Sequence, residues 1–338
     1  RQRQMCIRDS NKVEGQKEVT RILTALDDKN QLISLVTQPI SSKTPFRCPA
    51  CQSPVHLRQG TIRRPHFAHV QLAHCQFQAE NESEEHLTLK AKLYTSLVRT
   101  EAVCIEKYLP ELQQIADLLV NDGLALEIQC SPLPVERLKE RTKAYQEQGY
   151  QVRWLLGRKL WLKAHLTALQ KQFLYFSSSL GFHLWELDAA TNLLRLKYLI
   201  HEDLFGKVSY LTKTISLDND IMGLFRLPYQ QEILYSYQKS MVDNLSIKIQ
   251  RALLARQPKW LRRQEKAYLA GHNLLTLATD AFYPQWRPVQ SSSGFCQIKG
   301  NLRPYYESFK AYYKKEKDKK VQTLFSPKYY VKIDSNRK

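Results

Sequence analysis

Residues 114–130, QIADLLVNDGLALEIQC, carry the clearest structural signal of the chain. Two apolar runs flank Asn121-Asp122-Gly123, a combination that is typical of a β-hairpin turn. If the turn has three residues, counting outward places Asp117 directly opposite Glu127, where paired Cβ atoms are about 5 Å apart. A two-residue turn would shift the register and put the two acids on opposite faces. The stretch therefore predicts an antiparallel hairpin with an acidic residue in each strand.

Two opposed carboxylates indicate either a metal site or a solvated surface. In an apolar hairpin, Asp117 and Glu127 repel each other unless a cation lies between them. Alternation along the second strand puts Gln129 on the same face as Glu127. The competing interpretation is an edge hairpin whose polar residues face water. Spacing alone leaves both interpretations open.

The flanking sequence extends the hairpin to a larger unit. Glu82, His86 and Lys90 recur every four residues beside a leucine-rich face, which predicts a helix with these three side chains on one side. A second helix is predicted to end at Gly149. The predicted order is αβββαβ, with helices from Glu82 and at Leu133–Gln148, and strands at Val103–Leu109, Ile115–Val120, Leu124–Cys130 and Gln151–Leu156.

Residues 48–75 predict a small metal-binding module. Cys48 and Cys51 have the spacing of a zinc knuckle, in which two thiolates at a tight turn reach one tetrahedral ion. His66 and His69 follow after a gap that suits a zinc ribbon, and because these side chains point apart on a strand, only one need bind. The alternative is a chance group of half-buried thiols and surface histidines. The preferred structural zinc ligands are Cys48, Cys51, His69 and Cys75, and His56 and His74 are expected to bind nothing.

The positive charge of the chain is concentrated in its second half. The 338 residues include 51 Lys and Arg and 32 Asp and Glu, a formal net charge of +19. Residues 1–157 hold 21 basic and 18 acidic residues (+3), and residues 158–338 hold 30 and 14 (+16). The electrostatic field of this positive charge favours binding of polyanions, chiefly nucleic acid, over binding of acidic small substrates. A well-solvated, lysine-rich surface is the alternative.

We expect a mixed α+β, multidomain protein. Residues 20–76 are predicted to form an N-terminal β and zinc-ribbon-like module that opens with a hairpin between Ile22 and Val36, residues 80–157 the αβββαβ core, and residues 158–338 a basic, mostly α-helical domain. In the last region, Leu160–Leu174 and Tyr229–Arg256 have helical periods, and Phe182–Leu187 with Leu193–Ile200 suggests a hairpin. Residues 1–10, RQRQMCIRDS, resemble a translated sequencing adapter, so Cys6 is not a candidate metal ligand.

The composition also predicts where the protein acts. No run approaches the roughly 18 apolar residues that cross a bilayer. Seven cysteines with a Cys-x-x-Cys pair fit a metal site in a reducing compartment better than a disulfide framework. We therefore expect a cytoplasmic protein with no membrane insertion.

Five motifs carry a resemblance to a known family: CPAC (48–51), RPHFAH (64–69), ENESEEHLTLK (80–90), IADLL (115–119) and LALEIQCSPL (124–133). Together they resemble the CoiA family of competence proteins from transformable Gram-positive bacteria. The αβββαβ order with its two acids is also similar to the PD-(D/E)xK, restriction-endonuclease-like nuclease core.

The resemblance implies a nuclease-like domain acting on DNA in natural transformation, near the recombination of imported strands. In such cores two acids bind Mg²⁺, which polarises the phosphodiester and activates a water. Asp117 and Glu127 match these positions, and Glu82 matches an additional acid on the preceding helix. Gln129 occupies the usual lysine position but carries no positive charge. Lys90 is the predicted substitute, unless it is a solvated partner of His86.

Two functions are consistent with this resemblance. The first is a Mg²⁺-dependent endo- or exodeoxyribonuclease. The alternative, which Gln129 favours, is a non-catalytic DNA-binding or recombination-accessory factor on a nuclease-like scaffold. DNA, single-stranded or branched, is the implied partner, with recombination proteins as further candidates. The candidate catalytic residues are Asp117, Glu127, Gln129, Glu82, His86 and Lys90.

Overall fold

The computed structural model describes residues 21–40, 45–61, 63–71, 75, 82–230 and 232–335. The chain divides into two compact units, Arg1–Leu87 and Thr88–Lys338. The predictions for residues 1–10 and for His74 concern positions outside the described residues.

The first unit contains a small antiparallel sheet. Asp27 shapes the turn of its first hairpin, because its carboxylate accepts hydrogen bonds from the backbone N–H groups of Lys29 (2.9 Å) and Gln31 (2.8 Å). This confirms the hairpin predicted between Ile22 and Val36. The described strands are β1 (Arg21–Ile22), β2 (Thr24–Leu26), β3 (Leu32–Ser34), β4 (Phe46–Arg47), β5 (Pro54–Arg58) and β6 (His66–His69), in the order β1-β6-β5-β4-β2-β3.

The predicted αβββαβ order is confirmed. The elements are α1 (Glu84–Leu97), β7 (Val103–Leu109), β8 (Gln114–Val120), β9 (Leu124–Gln129), α2 (Val135–Glu147) and β10 (Gln151–Leu156). Strands β7, β8 and β9 pair antiparallel, and β10 lies parallel to β9. Leucines of α1 and residues of α2 pack with the strands into one core.

The register of the β8–β9 hairpin is the predicted one. Val120 pairs with Leu124, which leaves a three-residue turn, and the same register places Asp117 opposite Glu127. The turn is possible because Asn121 and Asp122 take left-handed conformations (φ 49° and 51°), which these residue types tolerate. The interpretation as a solvated edge hairpin is wrong, because β10 covers the other side of β9 and Glu127 is only 2% exposed.

The prediction of a mostly α-helical C-terminal domain is wrong. Three long strands, β12 (Gly181–Asp188), β13 (Leu193–Glu202) and β14 (Val208–Ser216), continue the sheet of the core. Nine strands of the described ranges belong to this sheet, in the order β14-β13-β12-β10-β9-β8-β7 with β11 (Tyr175–Ser177) and β16 (Arg287–Pro288) attached. The predicted hairpin of Phe182–Leu187 with Leu193–Ile200 is confirmed as part of β12 and β13.

The physical reason for this error is long-range strand pairing. The local hairpin of β12 and β13 was predicted, but every residue of β12 is buried because it lies inside the sheet, and periodicity does not reveal which strand it pairs with. Because β12 pairs directly with β10, the sheet runs across the expected boundary at residue 157. In the range Leu160–Leu174 the structure contains only the short helix α3 (Ala168–Gln172).

The remaining elements complete the second unit around aromatic side chains. Tyr305, Phe309, Tyr313 and Tyr330 pack on one another, with Phe309 and Tyr313 ring centroids 4.6 Å apart. The elements are α4 (Met222–Arg226), β15 (Ser236–Ser240), α5 (Leu245–Leu254), α6 (Pro258–Leu269), α7 (Arg303–Lys315), β17 (Val321–Phe325) and α8 (Pro327–Ser335).

Gly157 closes the β9–β10 pair and provides a stability test. Its N–H donates to the carbonyl of Gln129 (2.8 Å), and a Cβ at this position would lie 2.7 Å from the Sγ atom of Cys130. We expect Gly157→Ala to lower the free energy of unfolding by about 1–3 kcal/mol through overpacking. Urea denaturation followed by tryptophan fluorescence measures this. Gly300→Ala, which meets nothing within 4 Å, is the control; equal stability of both variants would contradict the prediction.

Candidate metal centre and active site

The first unit brings the predicted zinc ligands together. Donor atoms of Cys48, Cys51, His69 and Cys75 all lie within 4.8 Å of one another, and Cys51 Sγ is 3.4 Å from His69 Nε2. The turn after β4 presents both knuckle thiols, since the N–H of Gln52 donates to the carbonyl of Cys48 (2.9 Å). Pairing of β5 with β6 places His69 opposite Val55.

This donor set fits zinc in chemistry and size. Zinc binds thiolate at about 2.3 Å and imidazole at about 2.0 Å, so tetrahedral donors lie somewhat under 4 Å apart. Burial raises the pKa of the Cys48 thiol, and a bound cation would favour its thiolate. His66 is not part of this cluster, and its Nδ1 lies 2.9 Å from the carbonyl oxygen of Arg64. His56 is also outside the cluster and is exposed. The cluster can therefore hold a metal through His69.

In the second unit, Lys90 is buried between two carboxylates. Its Nζ lies 3.0 Å from Glu106 Oε1 and 3.1 Å from Asp117 Oδ1, and the residue is 1% exposed. The other oxygen of Asp117 accepts a hydrogen bond from the N–H of Ile128 (2.8 Å). The interpretation of Lys90 as a solvated partner of His86 is therefore wrong.

Glu106 belongs to this site and was missed by the sequence reasoning. The register of β7 with β8 places it directly opposite Asp117, and it is 5% exposed. Its backbone is left-handed (φ 51°), which is uncommon for glutamate and marks a local constraint. The available signal was one acid in the apolar run Val103–Leu109.

Glu127 is held by helix α2. Arg141 Nη2 lies 2.8 Å from its Oε2, and the hydroxyl of Tyr145 donates to its Oε1. The guanidinium of Arg141 also lies over the ring of Trp154, 5.3 Å from the centroid. Burial, followed by the charge of Glu127, raises the pKa of Tyr145 well above its usual value, so its proton stays in place. Arg141 and Tyr145 were also missed; their i,i+4 spacing was the signal.

The remaining candidate residues, Gln129, Glu82 and His86, have short-range contacts of their own. The side-chain amide of Gln129 donates to the carbonyl of Ser131 (2.7 Å). His86 Nδ1 lies 3.4 Å from Glu82 Oε2. Since α1 is one continuous helix, His86 lies one turn before Lys90 on the same side.

Comparison with known proteins identifies the family of this chain. Residues 82–221 match the family model "Competence protein CoiA, nuclease-like domain". This part of the chain is therefore a nuclease-like domain. Residues 30–78 match "Competence protein CoiA, N-terminal domain". The chain belongs to the CoiA family of competence proteins.

One curated relative gives the extent of the similarity. Competence protein CoiA of Bacillus subtilis (strain 168) is 32% identical over 116 residues, which cover 33% of this chain and 31% of the relative. The matched part is thus about a third of that protein. No solved structure matches the chain. In the described ranges, none of the helices has the length and apolar character required to cross a bilayer.

Proposed function

We propose that this chain is a Mg²⁺-dependent DNA phosphodiesterase of the PD-(D/E)xK type that acts in competence. The observation that carries the proposal is the buried contact of Lys90 with Asp117 (3.1 Å) in a nuclease-like domain. The lysine reaches this acid from helix α1 rather than from position 129. It thereby supplies the positive charge that Gln129 lacks.

Both predicted acids already have partners in the protein. Asp117 offers hard carboxylate oxygens, the donor type that Mg²⁺ prefers, and these contact Lys90 and the N–H of Ile128. Glu127 contacts Arg141 and Tyr145, and would exchange one of these contacts to become a ligand. When bound, the ion would polarise the phosphodiester and lower the pKa of an attacking water.

The protein's own groups would orient the phosphate and stabilise charge. Lys90 is positioned to stabilise negative charge that develops beside Asp117, in a site with little water. Ile128 fixes the carboxylate of Asp117 through its N–H. Glu82, two residues before α1 begins, and His86, one helical turn before Lys90, are proposed supporting ligands.

A non-catalytic DNA-binding or recombination-accessory role is the second candidate. It is favoured by the pairing of both acids with cations of the chain, Asp117 with Lys90 and Glu127 with Arg141. Cations of the chain beside both acids lessen the need for Mg²⁺ at this site. In both roles we propose that the cations of residues 158–338 hold single-stranded or branched DNA, in the reducing cytoplasm and beside recombination proteins.

A cleavage assay separates the two roles. We expect Asp117→Asn to reduce Mg²⁺-dependent cleavage of single-stranded and branched DNA by about a hundredfold or more, because the charge that binds the ion is lost. Asp122→Asn, at the exposed turn of the same hairpin, is the matched control. Circular dichroism verifies that both variants are folded. DNA binding without cleavage by the wild type would support the accessory role, and full activity of Asp117→Asn would refute the site.

A further inference from the structure

A cleft of about 330 Å³ opens in the second unit, away from the residues discussed so far. The start of β10, the β11–β12 hairpin and the turn at Pro228 and Tyr229 form its walls. Its volume lies near the lower end of the roughly 300–1,000 Å³ typical of small-molecule sites. The lining includes five aromatic rings and three glutamine amides but no carboxylate.

Arg153 is the central charged group of this cleft. Its guanidinium lies over the rings of Tyr175 (5.2 Å), Trp185 (5.8 Å) and Tyr229 (5.7 Å). It donates to the carbonyl of Val152 (2.9 Å) and to the hydroxyl of Tyr229. In the described part of the chain, no carboxylate forms an ion pair with Arg153. The charge of Arg153 is partly buried and is balanced by ring faces and neutral hydrogen-bond acceptors. An anion bound in the cleft would therefore be stabilised by this side chain.

Trp185, His183 and Tyr229 further define what the cleft accepts. Trp185 lines the cleft but is 0% exposed, so its ring is part of the apolar wall and its N–H is not within reach of a ligand. Burial lowers the pKa of His183 to about 3, so this lining ring is neutral at pH 7. Tyr229 is 59% exposed at the rim and offers an open aromatic face. The floor thus suits a planar ring with hydrogen-bond acceptors, and the cations suit an acidic group.

We propose that this cleft binds a nucleotide, with the base stacked on Tyr229 and the phosphate near Arg153 and the exposed Lys299. A base supplies a planar ring and hydrogen-bonding groups for the glutamine amides of the lining, and its phosphate supplies the missing anion. The source is either one nucleotide of a DNA strand or a free nucleotide. An acidic peptide could form ion pairs with the cations, but it would not stack on the rings and hydrogen-bond to the glutamine amides at the same time.

The cleft is separate from the proposed active site. Strand β10 pairs Trp154 with Glu127, so these two side chains share one face of the sheet. Arg153, the preceding residue, points to the opposite face, together with Trp185 of β12, whose partner is Leu155. Nucleotide binding here is therefore independent of Asp117 and of Mg²⁺, and goes beyond the proposed function.

Fluorescence of 2-aminopurine tests the proposal, because stacking on an aromatic ring quenches it. The probes are 2-aminopurine deoxynucleoside monophosphate and an octanucleotide with one 2-aminopurine, both titrated without Mg²⁺. We expect saturable quenching by the wild type, and a Kd raised about tenfold or more in Tyr229→Ala, the range for loss of one stacked base. Tyr268→Ala removes a similarly exposed tyrosine (62%) on α6 and is the matched control.

The outcomes distinguish the two sources. Quenching of the octanucleotide alone assigns the site to a strand, and quenching of both probes assigns it to a free nucleotide as well. Lys299→Gln is expected to weaken binding of the monophosphate but not binding of the corresponding nucleoside. The proposal is overturned if neither probe binds, or if Tyr229→Ala and Tyr268→Ala have equal effects. None of these results depends on whether the protein cleaves DNA.

Discussion

Replacing Lys90 with methionine is expected to lower the free energy of unfolding by about 3–5 kcal/mol, the range for removing one partner of a buried ion pair. Methionine preserves most of the side-chain volume, but it leaves Glu106 (3.0 Å from Nζ) and Asp117 (3.1 Å) without their shared cation. Two carboxylates facing each other in the sheet then repel in a medium of low dielectric constant. The same change is expected to abolish the proposed DNA cleavage, because the ammonium group beside Asp117 is lost.

Urea denaturation at pH 7 measures the stability change. Lys107→Met, on the same strand as Glu106 and exposed, is the matched control and should stay within about 0.5 kcal/mol of the wild type. The double variant Lys90→Met with Glu106→Gln should recover part of the stability, since one buried charge is removed. It should not recover cleavage, which separates the structural role of Lys90 from its chemical role. A Lys90→Met variant as stable as the wild type would contradict the ion-pair interpretation.

The part of this site that the sequence predicted depends on local signals. The Asn121-Asp122-Gly123 turn determines the β8–β9 register, and the register alone brings Asp117 opposite Glu127. Four-residue spacing likewise puts His86 and Lys90 on one side of α1. Both relations are contained within a few consecutive residues, so no knowledge of the tertiary structure was required.

The missed residues depend on longer-range pairing. Glu106 is opposite Asp117 only because β7 and β8 are joined by a turn at residues 110–113 whose register the sequence does not reveal. Arg141 and Tyr145 reach Glu127 because α2 packs over β9 and β10, a contact that helix periodicity does not specify. For Glu106 the sequence signal was a charged residue within an apolar strand, and its role could not be assigned without its partner Lys90.

The charge argument was changed by the fold. The +16 of residues 158–338 suggested a separate domain for holding DNA. The structure instead continues one sheet from β10 into β12, β13 and β14, so much of this region is core and only its surface is available for a polyanion. The hairpin of β12 and β13 is local and was predicted, whereas the pairing of β12 with β10 joins distant residues, Trp185 and Leu155, and hydrophobic periodicity does not reveal it.

Removing one of the predicted zinc ligands is expected to have the largest effect on the first unit. Its sheet has strands of two to five residues and a small core around Phe46 and Phe67, which is too little apolar burial to be stable alone. Structural zinc supplies on the order of 10 kcal/mol of folding free energy in small domains. We therefore expect Cys48→Ser to lose bound zinc and to unfold residues 21–75, while the second unit remains folded.

Zinc content by plasma mass spectrometry and limited proteolysis measure the two parts of this prediction. The wild type should carry one equivalent of zinc and resist cleavage in the first unit, and Cys48→Ser should carry none and be cut there. Cys104→Ser, an exposed thiol of the second unit, is the control and should keep its zinc. A folded Cys48→Ser with a full equivalent would refute the ligand set. Because a four-coordinate site leaves no open position for a reacting water, zinc loss should act through folding of this unit rather than through the chemistry at Asp117.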